Sequence, residues 1–302
     1  AKGAADALVK EGDMYYEGEG APQDYKKAFE LYEKAAQEGD AQAQYKLGLM
    51  YEAGKGVKQD YKKTFQWWEK AAKQGNVSAQ NNLGFVYEVG RGVKKDPKKA
   101  FRWYKKAADQ GFAVAQNNLA YMYNAGAGVK RNHKKAMQLW KKAADQGNAA
   151  AQTSLGLAYS RNADYQEALQ WFEKGAEQGF AAAQTNLAML YYQGLGVDQD
   201  YQKAFQLLEQ AAEQGFTDAQ NALGFMYENG LGVKQDYKKS ILWYEKAANK
   251  GLAMAQYNLG FIYSAGKGVK KDNKKTLYWM EKAAAQRYRA AQNFLMEHPE
   301  LY

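Results

Sequence analysis

The sequence predicts an all-α solenoid of antiparallel helix hairpins, and three observations carry that prediction. The pair Ala-Gln recurs at Gln44, Gln80, Gln116, Gln152, Gln184, Gln220, Gln256 and Gln292, at spacings of 36 residues with a single interval of 32. Self-similarity at such a period marks a stack of supersecondary units. Each copy contains two stretches with apolar residues at helical spacing, and glycines and capping residues recur between them in fixed register.

Residues 40–75 are a complete copy. In the first stretch Ala43, Leu47, Met50 and Tyr51 share one helical face; in the second Phe65, Trp68, Ala71 and Ala72 do so. Neither face is wide enough to stand alone, so each hairpin must pack on its neighbours. Gly54 and Gly56 follow the first helix and Gly75 the second, where a residue of positive φ closes the last turn. Asp60 opens the second helix as an N-cap, and Asp24, Asp96, Asn132, Asp164, Asp200, Asp236 and Asp272 recur in its register. Pro97 after Asp96 fits a first-turn proline.

One solenoid domain over 1–302 is expected, with eight copies at 4–39, 40–75, 76–111, 112–147, 148–179, 180–215, 216–251 and 252–287. The fifth lacks the Gly-x-Gly-Val part of its loop, a deletion its helices should survive. Residues 288–302 restart a first helix and reach Pro299, as a terminal cap would.

Hydrophobic content of 46% with 25% charged residues is that of a folded soluble protein, and no run approaches the ~18 apolar residues of a membrane span. With no cysteine and two histidines, His133 and His298, thiolate metal sites and cysteine nucleophiles are excluded and imidazole chemistry has little to work with. No cofactor, metal or catalytic residue is expected. Ser264-Ala265-Gly266-Lys267 matches a Ser-x-x-Lys pattern, but it spans a glycine-closed helix end. The Gly-x-Gly loops follow a helix rather than a strand and lack the Lys-Ser/Thr of a phosphate loop. The first residue is alanine, which fits a cleaved signal peptide or a trimmed chain.

The repeated string Ala-x-Ala-Gln-x-x-Leu-Gly-x-x-Tyr, then Gly-x-Gly-Val, then Asp-Tyr-x-Lys-Ala and Lys-Ala-Ala-x-Gln-Gly, resembles the Sel-1-like repeat, a relative of the tetratricopeptide repeat with a longer loop. The resemblance implies a right-handed α-solenoid that serves as a non-catalytic adaptor for other proteins, common among bacterial periplasmic and secreted proteins. A periplasmic or secreted location is the expectation, with a cytoplasmic one as the alternative. Some relatives are cysteine-rich and described as β-lactamase-like or penicillin-binding; this makes such an enzyme a third functional reading, supported here only by the Ser264 match.

The resemblance to tetratricopeptide-like solenoids implies a groove lined by first helices, with the positions two before and two after the leucine of Leu-Gly-x-x-Tyr facing it. Tyr45, Asn81, Asn117, Asn221 and Tyr257 belong to the first row, and Phe85, Tyr121 and Phe225 to the second. Asn82, Asn118, Asn186 and Asn258 form a row beside them. A carboxamide both donates and accepts, so an asparagine row can pair with the amides of an extended protein segment while the rings take its side chains. The plainer reading is that asparagines hydrate the wall. The recurring Ala-Gln glutamine is expected to satisfy buried backbone, and the seven tryptophans to pack between hairpins.

Net charge is +9, all of it in 1–147. Residues 91–147 hold 14 Lys/Arg against Asp96, Asp109 and Asp145, and Lys94, Lys95, Lys98, Lys99, Lys130, Arg131, Lys134 and Lys135 make a basic patch in that block. A solubilising edge explains such lysines. A nucleic acid or other polyanion is the rival partner.

Overall fold

The computed structural model describes residues 2–302. Among them every regular element is helical, and the helices pair in sequence as hairpins, as the repeat register predicts. The chain divides into two compact units, 1–148 and 149–302.

The first unit holds α1 (Lys2–Glu17), α2 (Tyr25–Gln37), α3 (Ala41–Ala53), α4 (Tyr61–Lys73), α5 (Val77–Val89), α6 (Pro97–Asp109), α7 (Ala113–Ala125) and α8 (His133–Asp145). The second holds α9 (Ala149–Arg161), α10 (Tyr165–Glu177), α11 (Ala181–Gln193), α12 (Tyr201–Glu213), α13 (Thr217–Asn229), α14 (Tyr237–Asn249), α15 (Ala253–Ala265), α16 (Asn273–Ala285) and α17 (Arg289–Glu297), followed by a 3₁₀ turn at Pro299–Leu301. Helices α1 to α15 of odd number are the first members of hairpins, and α17 follows the eighth hairpin.

The predicted caps form. Asp60 accepts from the amides of Lys62 and Lys63, Asp96 from Lys99 and Asp200 from Lys203, each at 3.0–3.1 Å. Gly54 closes α3 at φ 67°. Gly56 is required for a different reason: a Cβ there would stand 2.4 Å from the carbonyl oxygen of Tyr25, so the loop lies directly on the start of α2 in the preceding hairpin. The deletion in the fifth copy shortens the loop to Asn162–Asp164, with Ala163 at φ 59°, while α9 and α10 keep thirteen residues each.

Inside each hairpin, a small residue on the first helix receives the large side chain of the second. A Cβ on Gly48 would lie 2.4 Å from the Trp68 indole, and one on Gly84 would lie 2.6 Å from the Tyr104 ring. The recurring tyrosine at the end of the first helix packs edge-on against a phenylalanine of the preceding hairpin, as in Tyr51 on Phe29 and Tyr87 on Phe65, both at 5.4 Å. Trp68, Trp140, Trp171 and Trp279 are buried as expected. Trp67, Trp103 and Trp243 are only half-buried, and Lys70, Lys106 and Lys246 lie over their rings at 4.4–4.9 Å.

The recurring glutamine works on backbone, as the sequence suggested. Gln44 donates to Ala36 O at 3.2 Å and Gln80 to Ala72 O at 3.1 Å, across the hairpin junction. Its own carbonyl then accepts from a second glutamine, the one in Lys-Ala-Ala-x-Gln-Gly: Gln74 donates to Gln44 at 2.8 Å, Gln110 to Gln80 at 2.7 Å and Gln286 to Gln256 at 2.9 Å. Where both glutamines are present, the resulting carboxamide ladder ties the second helix to the first helix before it.

Candidate functional site

In the first unit the candidate groove residues come from α3, α5 and α7. Asn81 and Asn117 are buried; Tyr45, Asn82 and Asn118 are half-buried; the rings of Phe85 and Tyr121 are 38% and 47% exposed. Asn118 Nδ2 donates to Asn81 Oδ1 at 3.0 Å, so these two carboxamides clasp one another across neighbouring hairpins. Burial pushes the Tyr45 phenol above its ordinary value, opposed by hydrogen bonding with Asn82 and Ser78. The sequence offers these asparagines either to a ligand or to water, whereas one donor of Asn118 and the oxygen of Asn81 are already engaged in joining repeat to repeat.

The α7–α8 hairpin is exceptional in its polar groups. Trp68 Nε1 donates to Tyr45 O at 3.1 Å, but the equivalent Trp140 Nε1 and the carboxamide oxygen of Asn117 are buried without a partner. The small residue facing Trp68 is Gly48, whereas α7 carries Ala120 in that register. A methyl there would occupy the space in which the Trp68 indole lies, which accounts for the lost bond of Trp140.

In the second unit the same register gives a cavity of about 360 Å³ lined by Met189, Tyr192, Asn221, Ala222, Phe225, Met254, Asn258 and Tyr288, with Leu208 and Met226 at its base. Asn258 Nδ2 donates to Asn221 Oδ1 at 3.1 Å, and Phe225 is 41% exposed. Tyr257 stacks beside Phe261 at 6.4 Å and tilts against Tyr288 at 5.5 Å, while Asn186 is turned back to Ala182 O at 2.8 Å. Tyr192, Met254 and Tyr288 escaped the sequence reading. Met254 carried little signal, since its position is Gln42, Ser78 and Asp218 in some copies and Val114, Ala150 and Ala182 in others.

Carboxylates border both first-helix faces. Tyr104 donates to Glu88 Oε2 at 2.6 Å and Tyr244 to Glu228 Oε2 at 2.7 Å; burial, together with the carboxylate beside it, pushes each phenol well above its usual value. Tyr32 donates to Asp13 at 2.5 Å, and Lys46 pairs with the same carboxylate. Arg91 pairs with Glu52 at 3.5 Å and Lys267 with Glu228 at 3.4 Å.

Lys94, Lys95, Lys98, Lys99, Lys130, Arg131, Lys134 and Lys135 are all exposed at the starts of α6 and α8 and in the loops before them. Among the described residues none of the eight forms an ion pair; Lys99 and Lys135 lie over the rings of Tyr87 and Tyr123 at 5.6 and 5.4 Å. His133 faces Asn124 Oδ1 at 2.9 Å, and Lys267 is drawn to Glu228 rather than to Ser264. Among the described residues no helix is long and apolar enough to cross a membrane.

The repeat unit itself decides the family. Sel1 repeat matches run over residues 5–40, 41–76, 77–112, 113–148, 149–180, 181–216, 217–252 and 253–288. The chain belongs to the Sel1 repeat family. A protective antigen of uropathogenic Escherichia coli with an SLR fold is 37% identical, with a TM-score of 0.76 over 99% of this chain, which spans 66% of that antigen's length. A Sel1 repeat protein from Oxalobacter formigenes is 33% identical, with a TM-score of 0.68 over 97% of this chain and 86% of its own. Yeast Tom70, at 16% identity and a TM-score of 0.53 over 97% of this chain and 63% of its own, shares the fold alone. No curated protein matches. Sel1 repeats form scaffolds for protein–protein interaction, and the exposed rings on the first helices lie on a fold of that kind.

Proposed function

We propose that this Sel1 repeat protein is a non-catalytic adaptor that binds an extended segment of a partner protein along the first-helix faces of its hairpins. The observation that carries this reading is the cavity of the second unit: apolar walls of Met189, Phe225, Met254 and Tyr288 meet one carboxamide pair. Each carboxamide offers two donor hydrogens and an accepting oxygen, and the Asn221–Asn258 bond uses one of each, so the pair retains capacity for a peptide amide while the walls take a side chain. A periplasmic or secreted location belongs to the same reading, supported by the likeness to a protective antigen.

The test is selection of displayed random peptides on the full chain. Binders should weaken about tenfold or more on Phe225→Ala with Asn258→Ala, as loss of one apolar contact and one or two neutral hydrogen bonds implies, while helical content is kept. Binding indifferent to both changes defeats the proposal. A second reading, polyanion binding, is favoured by the eight exposed cations of the first unit that lack carboxylate partners.

A further inference from the structure

The second helices carry a site that does not rest on the adaptor reading. At most junctions between hairpins, a glutamate of the second helix lies beside the tyrosine that ends the next first helix. Glu245 Oε1 accepts from the Tyr263 hydroxyl at 3.4 Å. Burial, and then the neighbouring carboxylates of Glu33, Glu69 and Glu209, raise the phenols of Tyr51, Tyr87 and Tyr227 in the same register. A lysine also lies over each of these four rings: Lys63, Lys99, Lys239 and Lys275, at 5.0–5.6 Å. Each of these junctions thus sets one cation and one carboxylate around its tyrosine.

At Tyr123 the balance is reversed. Lys105 holds the register of Glu33, Glu69, Glu209 and Glu245, while Lys135 keeps its place over the Tyr123 ring at 5.4 Å. A second replacement falls beside the first. Lys70, Lys106 and Lys246 lie over Trp67, Trp103 and Trp243, but the equivalent Lys142 has Leu139 in place of the tryptophan. Lys142 is exposed, and among the described residues it forms no ion pair. Lys105, Lys135 and Lys142 line one cavity of about 230 Å³ together with Leu119, Tyr123 and Leu139. Asp109, the one carboxylate of its lining, pairs with Lys105 at 2.9 Å. Three ammonium groups against one carboxylate leave two positive charges in excess.

We infer that this cavity binds a phosphate monoester, with the dianionic head among Lys105, Lys135 and Lys142 and the first carbons of the ester against Leu119 and Leu139. A monoester carries about −1.5 to −2 charges at neutral pH and three accepting oxygens, which matches both the excess charge and the three ammonium groups. Lysine meets phosphate as a compact point charge, so no bidentate fork is required. The volume suits a single head group rather than a polymer strand. The site shares only Lys135 with the eight exposed cations at the starts of α6 and α8.

Equilibrium dialysis of phenyl phosphate against the full chain, at neutral pH and physiological ionic strength, tests this. Binding should weaken about tenfold or more in Lys105→Gln with Lys142→Gln, as loss of two charge-assisted contacts implies, while helical circular dichroism is unchanged. Lys105→Glu, which restores the glutamate of the other junctions, should weaken it at least as much. Lys58→Gln with Lys62→Gln removes the same charge from exposed positions outside the cavity. With distant charges screened, that variant should stay within about threefold of the parent. Phenyl sulfate, a monoanion of the same shape, and inorganic phosphate, which lacks the ring, should each bind more weakly. Phenyl phosphate that distributes equally across the membrane, or equal losses in the two charge-matched double variants, overturns the site. Phenyl sulfate held as tightly overturns the assignment to a dianion, and inorganic phosphate held as tightly overturns the assignment to an ester.

Discussion

Lys250 stands where other repeats place the second glutamine of the ladder, and Gln220, its partner in register, is left with a buried carboxamide oxygen that accepts nothing. Gln220 still donates to Ala212 O at 3.2 Å, and Lys250 Nζ reaches Gly215 O at 2.5 Å. Elsewhere one glutamine serves both acceptors: Gln286 donates to Gly251 O at 2.8 Å and to Gln256 Oε1 at 2.9 Å. The lysine therefore keeps the carbonyl contact and gives up the ladder.

Lys250→Gln should close that gap. A neutral hydrogen bond to a buried, unpaired acceptor contributes about 0.5–1.5 kcal/mol net. The variant is expected to unfold at a higher denaturant concentration than the parent with an unchanged slope, and Gln110→Lys should show the opposite shift. An unmoved midpoint in Lys250→Gln would remove the ladder's claim on stability.

Gly84→Ala should destabilise the protein, because its Cβ would meet Tyr104 ring carbons at 2.6 Å while burial and the bond to Glu88 hold that ring in place. Overpacking costs about 1–3 kcal/mol, against a gain of up to ~1 kcal/mol from alanine's better helix propensity. Gly260→Ala meets only the flexible Met280 side chain, at 3.1 Å, and should be nearly neutral. Equal losses in the two variants, measured by chemical denaturation, would contradict this account of the small residue.

The hairpins, their caps and the short fifth loop were legible because each depends on contacts close in sequence: Asp60 caps the turn that follows it, and Gly54 closes the turn before it. The ladder was half legible. Gln44 announced itself by recurrence, and Gln74 stood in the same repeated string, but their bond spans thirty residues and no local rule pairs them. The clasp of Asn81 with Asn118 was hidden for the same reason, since composition shows how many donors a row offers and not which are already used. The cavity of the second unit needed Tyr288, which precedes α17 in the register of Phe216 and Leu252 and meets Tyr257 only through the packing of successive first helices.

Alkaline pH should weaken the fold through its buried phenols. In Tyr104 and Tyr244 burial and a neighbouring carboxylate hold the proton well above the ordinary tyrosine value. Below about pH 10 folded and unfolded chains both keep these protons; above it only the unfolded chain releases them, so stability falls as pH rises, with a limiting slope of ~1.4 kcal/mol per pH unit for each phenol. Denaturant midpoints between pH 9 and 11 should decline in the parent and decline less in Tyr244→Phe. Parallel declines would show that Tyr244 does not carry its share.

The basic patch and the first-helix faces make opposite predictions about salt. Were Lys94, Lys95, Lys98, Lys99, Lys134 and Lys135 to grip a polyanion, each contacted phosphate would release counterions, and log K would fall steeply with log salt concentration. A segment held by the Asn221–Asn258 carboxamides and the rings of Phe225 and Tyr288 exchanges few ions and should bind with a shallow salt dependence. The six lysines are exposed and lack ion pairs, so changing them to glutamine should leave the melting temperature nearly unmoved. The adaptor reading predicts that this sextuple variant keeps the affinity of selected peptides at 150 mM salt within about threefold, whereas Phe225→Ala with Asn258→Ala does not. A partner lost with the lysines, steeply salt-dependent and indifferent to Phe225, would move the binding surface to the starts of α6 and α8.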